Sequence, residues 1–211
     1  VTALTLPKEF QKSRKTKEPG PKQIDLLTDQ TLWFIEQNKD KPFFVTLSHH
    51  AVHIRLEATE ELIEKYEKKP KPDHGVNNPV YAAMTENLDT SVGRIVDKLD
   101  ELGLADNTIV VFTSDNGGLH KIYTGVGEEV STNAPLRDEK GTVYEGGVRV
   151  PMIVRWPGVV KPGTVCHEPT TTADLMSTFC EMAGARVPDQ PIDGTSLVPL
   201  LKNPQAALGR E

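Results

Sequence analysis

The 211 residues predict an α/β fold, with a largely parallel sheet and helices on both faces, on three observations. Short apolar runs of strand length alternate with longer stretches of helical periodicity, the order expected of strands joined through helical crossovers. Those runs are nearly continuous in apolar residues, the pattern of strands covered on both sides. Polar, glycine-containing segments follow directly after them, where open α/β sheets gather their ligands.

The elements follow in order. Residues 1–22 form a basic, proline-containing loop (Lys12, Arg14, Lys15, Lys17, Pro19, Pro21, Lys22), and the remainder, 23–211, reads as one globular portion. A solvated loop explains the basic run as well as a patch for an acidic partner does. Gln23 to about Asn38 is predicted helical, with Leu27, Phe34 and Ile35 on the buried face. Lys39-Asp40-Lys41-Pro42 ends it, and Phe43-Phe44-Val45-Thr46-Leu47 reads as a strand. Thr59 to about Lys68 reads as a surface helix with Glu60 and Glu61 in its first turn, where the helix dipole favours them.

The clearest helix runs from Asn78 to Gly103. Asn78 suits the N-cap, Pro79 the first helical position and Gly103 the stop. Val80, Met84, Leu88, Val92, Ile95, Val96, Leu99 and Leu102 recur at three- and four-residue spacing as one apolar stripe. Thr108–Thr113 is expected to be a second buried strand, and Pro151–Trp156 a third, closed by Pro157-Gly158. Between them Gly117–Lys140 has no periodicity and reads as a long functional loop. Thr172 to about Ala183 and Ser196–Leu201 complete the helices. There are no internal repeats.

Composition narrows the partners. A net charge of −6 argues against nucleic acid, because phosphate binding needs a clustered basic surface. No apolar run approaches the roughly 20 residues of a membrane span, and no signal peptide opens the chain. Cys166 and Cys180 make neither a disulfide framework nor a zinc knuckle; they read as a surface thiol and a small helix-core residue.

Three constellations carry chemistry. Ser114-Asp115-Asn116-Gly117-Gly118 sets a carboxylate and an amide oxygen, both hard donors suited to calcium or magnesium, directly after a strand. A plain tight turn explains the same five residues, and a hard cation needs roughly six oxygens, more than this loop has. His49-His50-Ala51-Val52-His53 invites a zinc site, yet no partner group stands at zinc spacing, so a proton donor or anion contact is the better functional reading. Strand-capping or core roles account for at least one of the three. Lys140-Gly141-Thr142-Val143-Tyr144-Glu145-Gly146-Gly147-Val148-Arg149 offers a compact ammonium beside a glycine, while Arg149 either joins it or pairs with Glu145. A solvated lysine fits that turn equally well.

In this order and content the segments resemble the sulfatase family of the alkaline-phosphatase superfamily. The likeness runs from Gln23 to Lys202. Its motifs are Phe43 to His53, Tyr81-Ala82-Ala83-Met84, Phe112 to Gly118, Lys140 to Arg149, Trp156-Pro157-Gly158, and Asp193-Gly194-Thr195-Ser196-Leu197. The resemblance implies a sulfuric ester hydrolase that cleaves a small-molecule or carbohydrate sulfate monoester. It implies one calcium ion with Asp115 and Asn116 as metal ligands, His53 as the histidine on the sulfate ester, and Lys140 as the lysine on a sulfate oxygen. Export to a periplasmic or extracellular space is the habit of the family.

The family attacks sulfur with a formylglycine made from a Cys/Ser-x-Pro/Ala-x-Arg motif, and no such motif occurs in these 211 residues. The expectation is therefore the C-terminal portion of a catalytic domain, inactive by itself, which needs the remainder of the sulfatase chain to complete its site. The alternatives are a phosphodiesterase or phosphonate hydrolase of the same superfamily, or a catalytically inactive fragment that binds sulfated glycans. Two-zinc members of the superfamily place Asp-His where this chain has Asp115-Asn116, so the asparagine favours the calcium type.

Overall fold

The computed structural model describes residues 21–123 and 126–209. They divide into two compact units, one comprising 21–105 with 116–149, the other 106–115 with 150–209. The basic segment expected over 1–22 lies outside the described residues except for its last two, which begin the first helix.

The first unit is built on a helix pair. Helix α1 (Pro21–Gln37) buries Ile24, Thr28, Thr31 and Ile35, spaced four, three and four apart. This face includes Ile35 but not Leu27 or Phe34, and half of it is threonine. A threonine survives inside a helix by giving its hydroxyl proton to the carbonyl one turn back. Thr28 does so to Ile24 at 2.6 Å and Thr31 to Leu27 at 2.8 Å. Past Asn38 the chain doubles back, and Phe43 meets Phe34 edge-on with ring centroids 6.3 Å apart.

Residues 43–50 join no ladder among the described residues, which corrects the strand expected at Phe43–Leu47. Exposure alternates along them and Phe44 stands 66% exposed, so the run is covered on one side rather than two. Helix α2 (Glu60–Glu67) is capped by Thr59, whose hydroxyl accepts from the Leu62 amide at 3.4 Å.

Helix α3 (Pro79–Glu101) starts and stops as its sequence dictates. The Asn78 side chain accepts from the Tyr81 amide at 3.0 Å, and Pro79 fills the first position. At the other end Gly103 has φ of 68°, its amide bonds Asp100 O at 3.0 Å, and the Leu104 amide bonds Leu99 O at 2.8 Å. These are the paired bonds of a Schellman stop, which satisfy carbonyls the helix would leave open. Of the expected stripe, Met84 and Leu99 are fully buried; the small residues Ala83 and Ser91 join them. Arg94 of α3 reaches Asp29 of α1 at 2.5 Å.

The segment 117–140 is not a featureless loop. Strands β2 (Lys121–Tyr123) and β3 (Val126–Glu129) form an antiparallel hairpin inside it. One helical turn, α4 (Glu145–Val148), ends the unit, and there Arg149 pairs with Glu145 at 3.3 Å.

In the second unit β1 (Val110–Thr113) pairs with β4 (Met152–Arg155) in antiparallel register, Val110 opposite Arg155 and Thr113 opposite Met152. The expected sheet was largely parallel, and this pair is not. Its connection passes through the hairpin and α4, not through one crossover helix, so no parallel βαβ unit arises there. An antiparallel strand on an otherwise parallel sheet is common in α/β folds.

Helix α5 (Asp174–Met182) carries the fully buried Asp174, which accepts from the Thr171 amide at 2.8 Å and the Thr195 amide at 2.9 Å. Thr178 of α5 accepts from the Leu197 amide at 2.8 Å, and Leu197, Val198 and Leu200 close the core at α6 (Val198–Lys202). The Asp193–Leu197 motif is thus a structural clamp. A methyl on Gly194 would sit 2.0 Å from Ala173 O. Cys166 is exposed, the surface thiol expected; Cys180 lies on α5 but is half-buried, outside the buried face of Asp174, Ser177 and Thr178 rather than in the helix core.

Candidate functional site

The sequence nominates four side chains, and Asp115 and Asn116 are consecutive. Asp115 is exposed just beyond β1 and is the last residue of its segment in the second unit; Asn116 opens the first unit's segment. Asn116 gives an Nδ2 proton to Gly117 O at 3.0 Å, which fixes the plane of its amide against the loop.

The following glycines are required by close approach. Gly117 N donates to Gly147 O at 2.9 Å, and a methyl on Gly117 would sit 1.8 Å from Gly146 O. A methyl on Gly146 would sit 2.0 Å from Asp138 O, and one on Gly147 would sit 2.4 Å from Thr142 O. Lys140 N donates to Gly118 O at 3.1 Å. Two motifs some 20 residues apart in sequence are therefore joined backbone to backbone, and their glycines are the reason they fit.

Asn133 completes this joint, and sequence reasoning missed it. Its Oδ1 accepts from the Gly118 amide at 3.0 Å, and its Nδ2 donates to Gly118 O at 2.8 Å and Asp138 O at 3.1 Å. One side-chain amide thus copies a strand pairing to Gly118 and holds the turn before Lys140. Ser131 adds a hydroxyl bond to Leu119 O at 2.8 Å, and the buried Glu139 carboxylate accepts from the His120 amide. An asparagine in a polar loop carries no periodic signal, so nothing in its own neighbourhood marked it.

Lys140 is half-buried and forms no ion pair among the described residues. Gly141 beside it has φ of 91°, a conformation that costs any side chain strain.

His53 sits at the exit of a turn closed by its own amide on His50 O at 3.0 Å. Its Nδ1 lies 2.5 Å from Ile54 O. A carbonyl only accepts, so Nδ1 carries the proton and Nε2 is the nitrogen left to meet a ligand. The His50 ring lies 5.1 Å away, tilted by 41°. His49 turns inward: its Nε2 is 2.9 Å from the Ser91 hydroxyl, which in turn meets Thr28 at 2.6 Å. Burial holds the His49 pKa below the ordinary imidazole value of 6.5. His49 is thus held apart on Ser91, while the rings of His50 and His53 lie against each other. Hydrogen bonds of the loop beyond Asn116 reach the turn bearing Lys140, while those of His53 run to His50 and Ile54.

No group of three or more His, Cys, Asp or Glu among the described residues is placed to hold a metal ion. The donors Asp115 and Asn116 are hard oxygens that fit a cation such as calcium, yet two donors cannot complete a coordination shell of six or more. No described helix is long and apolar enough to cross a membrane.

Comparison with known proteins gives a consistent result. The sequence profile described as Sulfatase matches residues 3–185. A sulfatase of Formosa agariphila is 38% identical over 200 residues, covering 88% of this chain and 35% of that protein. Human steryl-sulfatase is 38% identical over 178 residues, covering 83% of this chain and 29% of its own length. The solved structure of Ps i-CgsB in complex with k-i-k-neocarrahexaose superposes with a TM-score of 0.73 at 36% identity, covering 86% of this chain and 39% of that one. The chain spans about a third of the length of the curated relatives it matches.

Proposed function

The chain belongs to the sulfatase family, whose alkaline-phosphatase-like α/β fold it shares, and on that premise we propose that its whole protein hydrolyses a sulfate monoester at a calcium centre. The observation that carries this reading is the backbone joint between the loop after Asn116 and the turn bearing Lys140. It keeps two motifs whose chemistry is complementary, a hard oxygen donor and an ammonium, on one loop cluster.

Asp115 and Asn116 serve as two of the oxygen ligands. Calcium bound there supplies positive charge to the sulfate oxygens as they gain charge in the transition state. Lys140 directs a compact ammonium at a sulfate oxygen, and its lack of a carboxylate partner among the described residues suits it to an anionic substrate. His53, its Nδ1 engaged with Ile54 O, works through Nε2. Protonated there, it gives a proton to the ester oxygen as the sulfur–oxygen bond breaks, so the alcohol departs neutral. No residue of this chain attacks sulfur, since the 211 residues hold no Cys/Ser-x-Pro/Ala-x-Arg motif. The substrate is the sulfate ester of a small molecule or a carbohydrate.

Turnover of 4-nitrophenyl sulfate by the whole protein in calcium tests the reading. Lys140→Ala and His53→Ala should each lower kcat by about 100-fold or more without shifting the melting temperature. Near-normal turnover in either variant removes that residue from the site, and no turnover of any sulfate ester by the unaltered protein overturns the activity itself.

A further inference from the structure

Apart from the four candidate side chains, the first unit holds a cleft of about 390 Å³ between the end of α2, the loop that follows it, the start of α3 and the segment Val130–Thr132. That volume lies within the range of small-ligand sites, roughly 300–1,000 Å³. The lining has a definite chemistry. Two phenol rings, Tyr66 and Tyr81, face it with Lys69, and Asn77, Ser131 and Thr132 add amide and hydroxyl groups. No aspartate or glutamate lines it, although acidic residues outnumber basic ones by 30 to 24 in the chain.

The Lys69 ammonium stands 4.4 Å from the Tyr66 ring centroid and forms no ion pair among the described residues. Stacking on a ring face holds a cation in place without neutralising it. Lys65, one residue before that ring, grips Glu86 of α3 at 2.6 Å, so the end of α2 that leads through Tyr66 to Lys69 is itself anchored. Pro70 and Pro72 limit the freedom of the loop beyond. Glu86 feels the Lys69 charge from outside the lining without pairing with it. A ring-held cation, aromatic faces and neutral hydrogen-bonding groups, with no acid in the lining, match a polyol that carries an anionic substituent.

The cleft also borders the catalytic loops. Ser131, in its wall, donates to Leu119 O, and Asn133, two residues on, clamps Gly118 and Asp138 ahead of Lys140. A ligand seated against Ser131 and Thr132 therefore lies on the segment that orders the loop beyond Asn116.

We propose that this cleft is a glycan subsite that takes a sulfated sugar residue of a carbohydrate substrate, with Lys69 meeting the anionic group and Tyr66 and Tyr81 framing the ring. It rests on the sulfatase reading for the reaction and narrows the substrate to sulfated oligosaccharides.

The test separates the two. Binding of tetrasaccharides from heparin, chondroitin sulfate and carrageenan, each beside its desulfated form, is measured on the whole protein by calorimetry. At least one sulfated form should bind tighter than its desulfated form. Lys69→Ala should weaken that binding about tenfold, Lys69→Arg should restore most of it, and turnover of 4-nitrophenyl sulfate, which has no sugar, should stay unchanged. Absence of binding by every sulfated form, or binding indifferent to Lys69→Ala and to Tyr66→Ser, overturns the subsite. Loss of 4-nitrophenyl sulfate turnover in Lys69→Ala also overturns it, because the residue would then act on the whole fold. An unaltered protein that binds the glycan but turns over no sulfate ester rejects the sulfatase activity and leaves the subsite standing.

Discussion

Asn133 shows how much of the site depends on a residue that does no chemistry. Its side-chain amide accepts from the Gly118 amide and donates to Gly118 O and Asp138 O, bonds that close the loop between Gly118 and Lys140. Truncation to alanine leaves part-buried backbone groups unpaired, at a cost of roughly 1–3 kcal/mol. Asn133→Ala should therefore lower the melting temperature and raise the calcium concentration needed for half-maximal turnover. Asn133→Asp should not rescue it, because a carboxylate still accepts from the Gly118 amide but faces two carbonyl oxygens with no proton to give. Rescue by aspartate, read as recovered calcium affinity, would dismiss the clamp. His49 provides a second test. Burial favours its neutral form in the folded protein, so its contribution to stability is complete above the unfolded value of about 6.5 and is lost as pH falls through the lower folded value. Melting temperature should fall on acidification from about 6.5 down through the folded value, and His49→Gln, which removes the titrating ring, should flatten that limb. The candidate side chains stood out in the sequence because Asp, Asn, Lys and His stand beside glycines or apolar runs. Asn133 was not, because its partners are main-chain atoms 15 residues back and five ahead, and main-chain atoms leave no mark in a sequence.

Glycines of two kinds set the geometry of the loop elements, and substitution should tell them apart. Gly117 is excluded from bearing a side chain by space: its methyl would meet Gly146 O at 1.8 Å, which only backbone movement relieves. Gly141 has nothing within 4 Å of its missing methyl but holds φ at 91°. Gly141→Ala should cost about 1–2 kcal/mol from backbone strain alone and keep most turnover. Gly117→Ala should cost more, beyond the roughly 1–3 kcal/mol of ordinary overpacking, and should abolish calcium-dependent turnover by parting the two motifs. Equal losses of stability in the two variants, measured by denaturant unfolding, would contradict this distinction. The same division decides which elements the sequence exposes. The ends of α3 were legible to the residue because caps are local chemistry: Asn78, Pro79 and Gly103 each satisfy or replace a specific backbone group. The face of α1 was half legible, since Thr28 and Thr31 look polar until their hydroxyl protons turn to the helix carbonyls. The hairpin of β2 and β3 and the unladdered run at 43–47 were not legible, because pairing is decided by partners distant in sequence.

At the scale of the molecule, the α/β class was legible while strand direction was not, since alternation of helices and strands fixes the order of elements and not how β1 meets β4. The chain covers about a third of its curated relatives, and the two oxygens proposed as ligands, those of Asp115 and Asn116, fall short of the six to eight that calcium takes. Binding free energy for such an ion grows with the number of charged and dipolar oxygens that converge, so two neighbouring donors on an exposed loop bind no better than a surface carboxylate. The 211 residues by themselves should therefore show no saturable calcium binding by calorimetry and no turnover of 4-nitrophenyl sulfate. In the whole protein calcium should raise the melting temperature with a logarithmic dependence on its concentration, as ligand linkage requires. Asp115→Ala, which removes the one charged donor this chain provides, should shift that dependence to at least tenfold higher calcium and leave the metal-free melting temperature nearly unchanged, because the side chain is exposed. A calcium response identical in Asp115→Ala would remove Asp115 from the ion. Stoichiometric calcium binding by the 211 residues alone would mean that donors beyond Asp115 and Asn116 converge within this chain, against the arrangement of its described carboxylates and histidines.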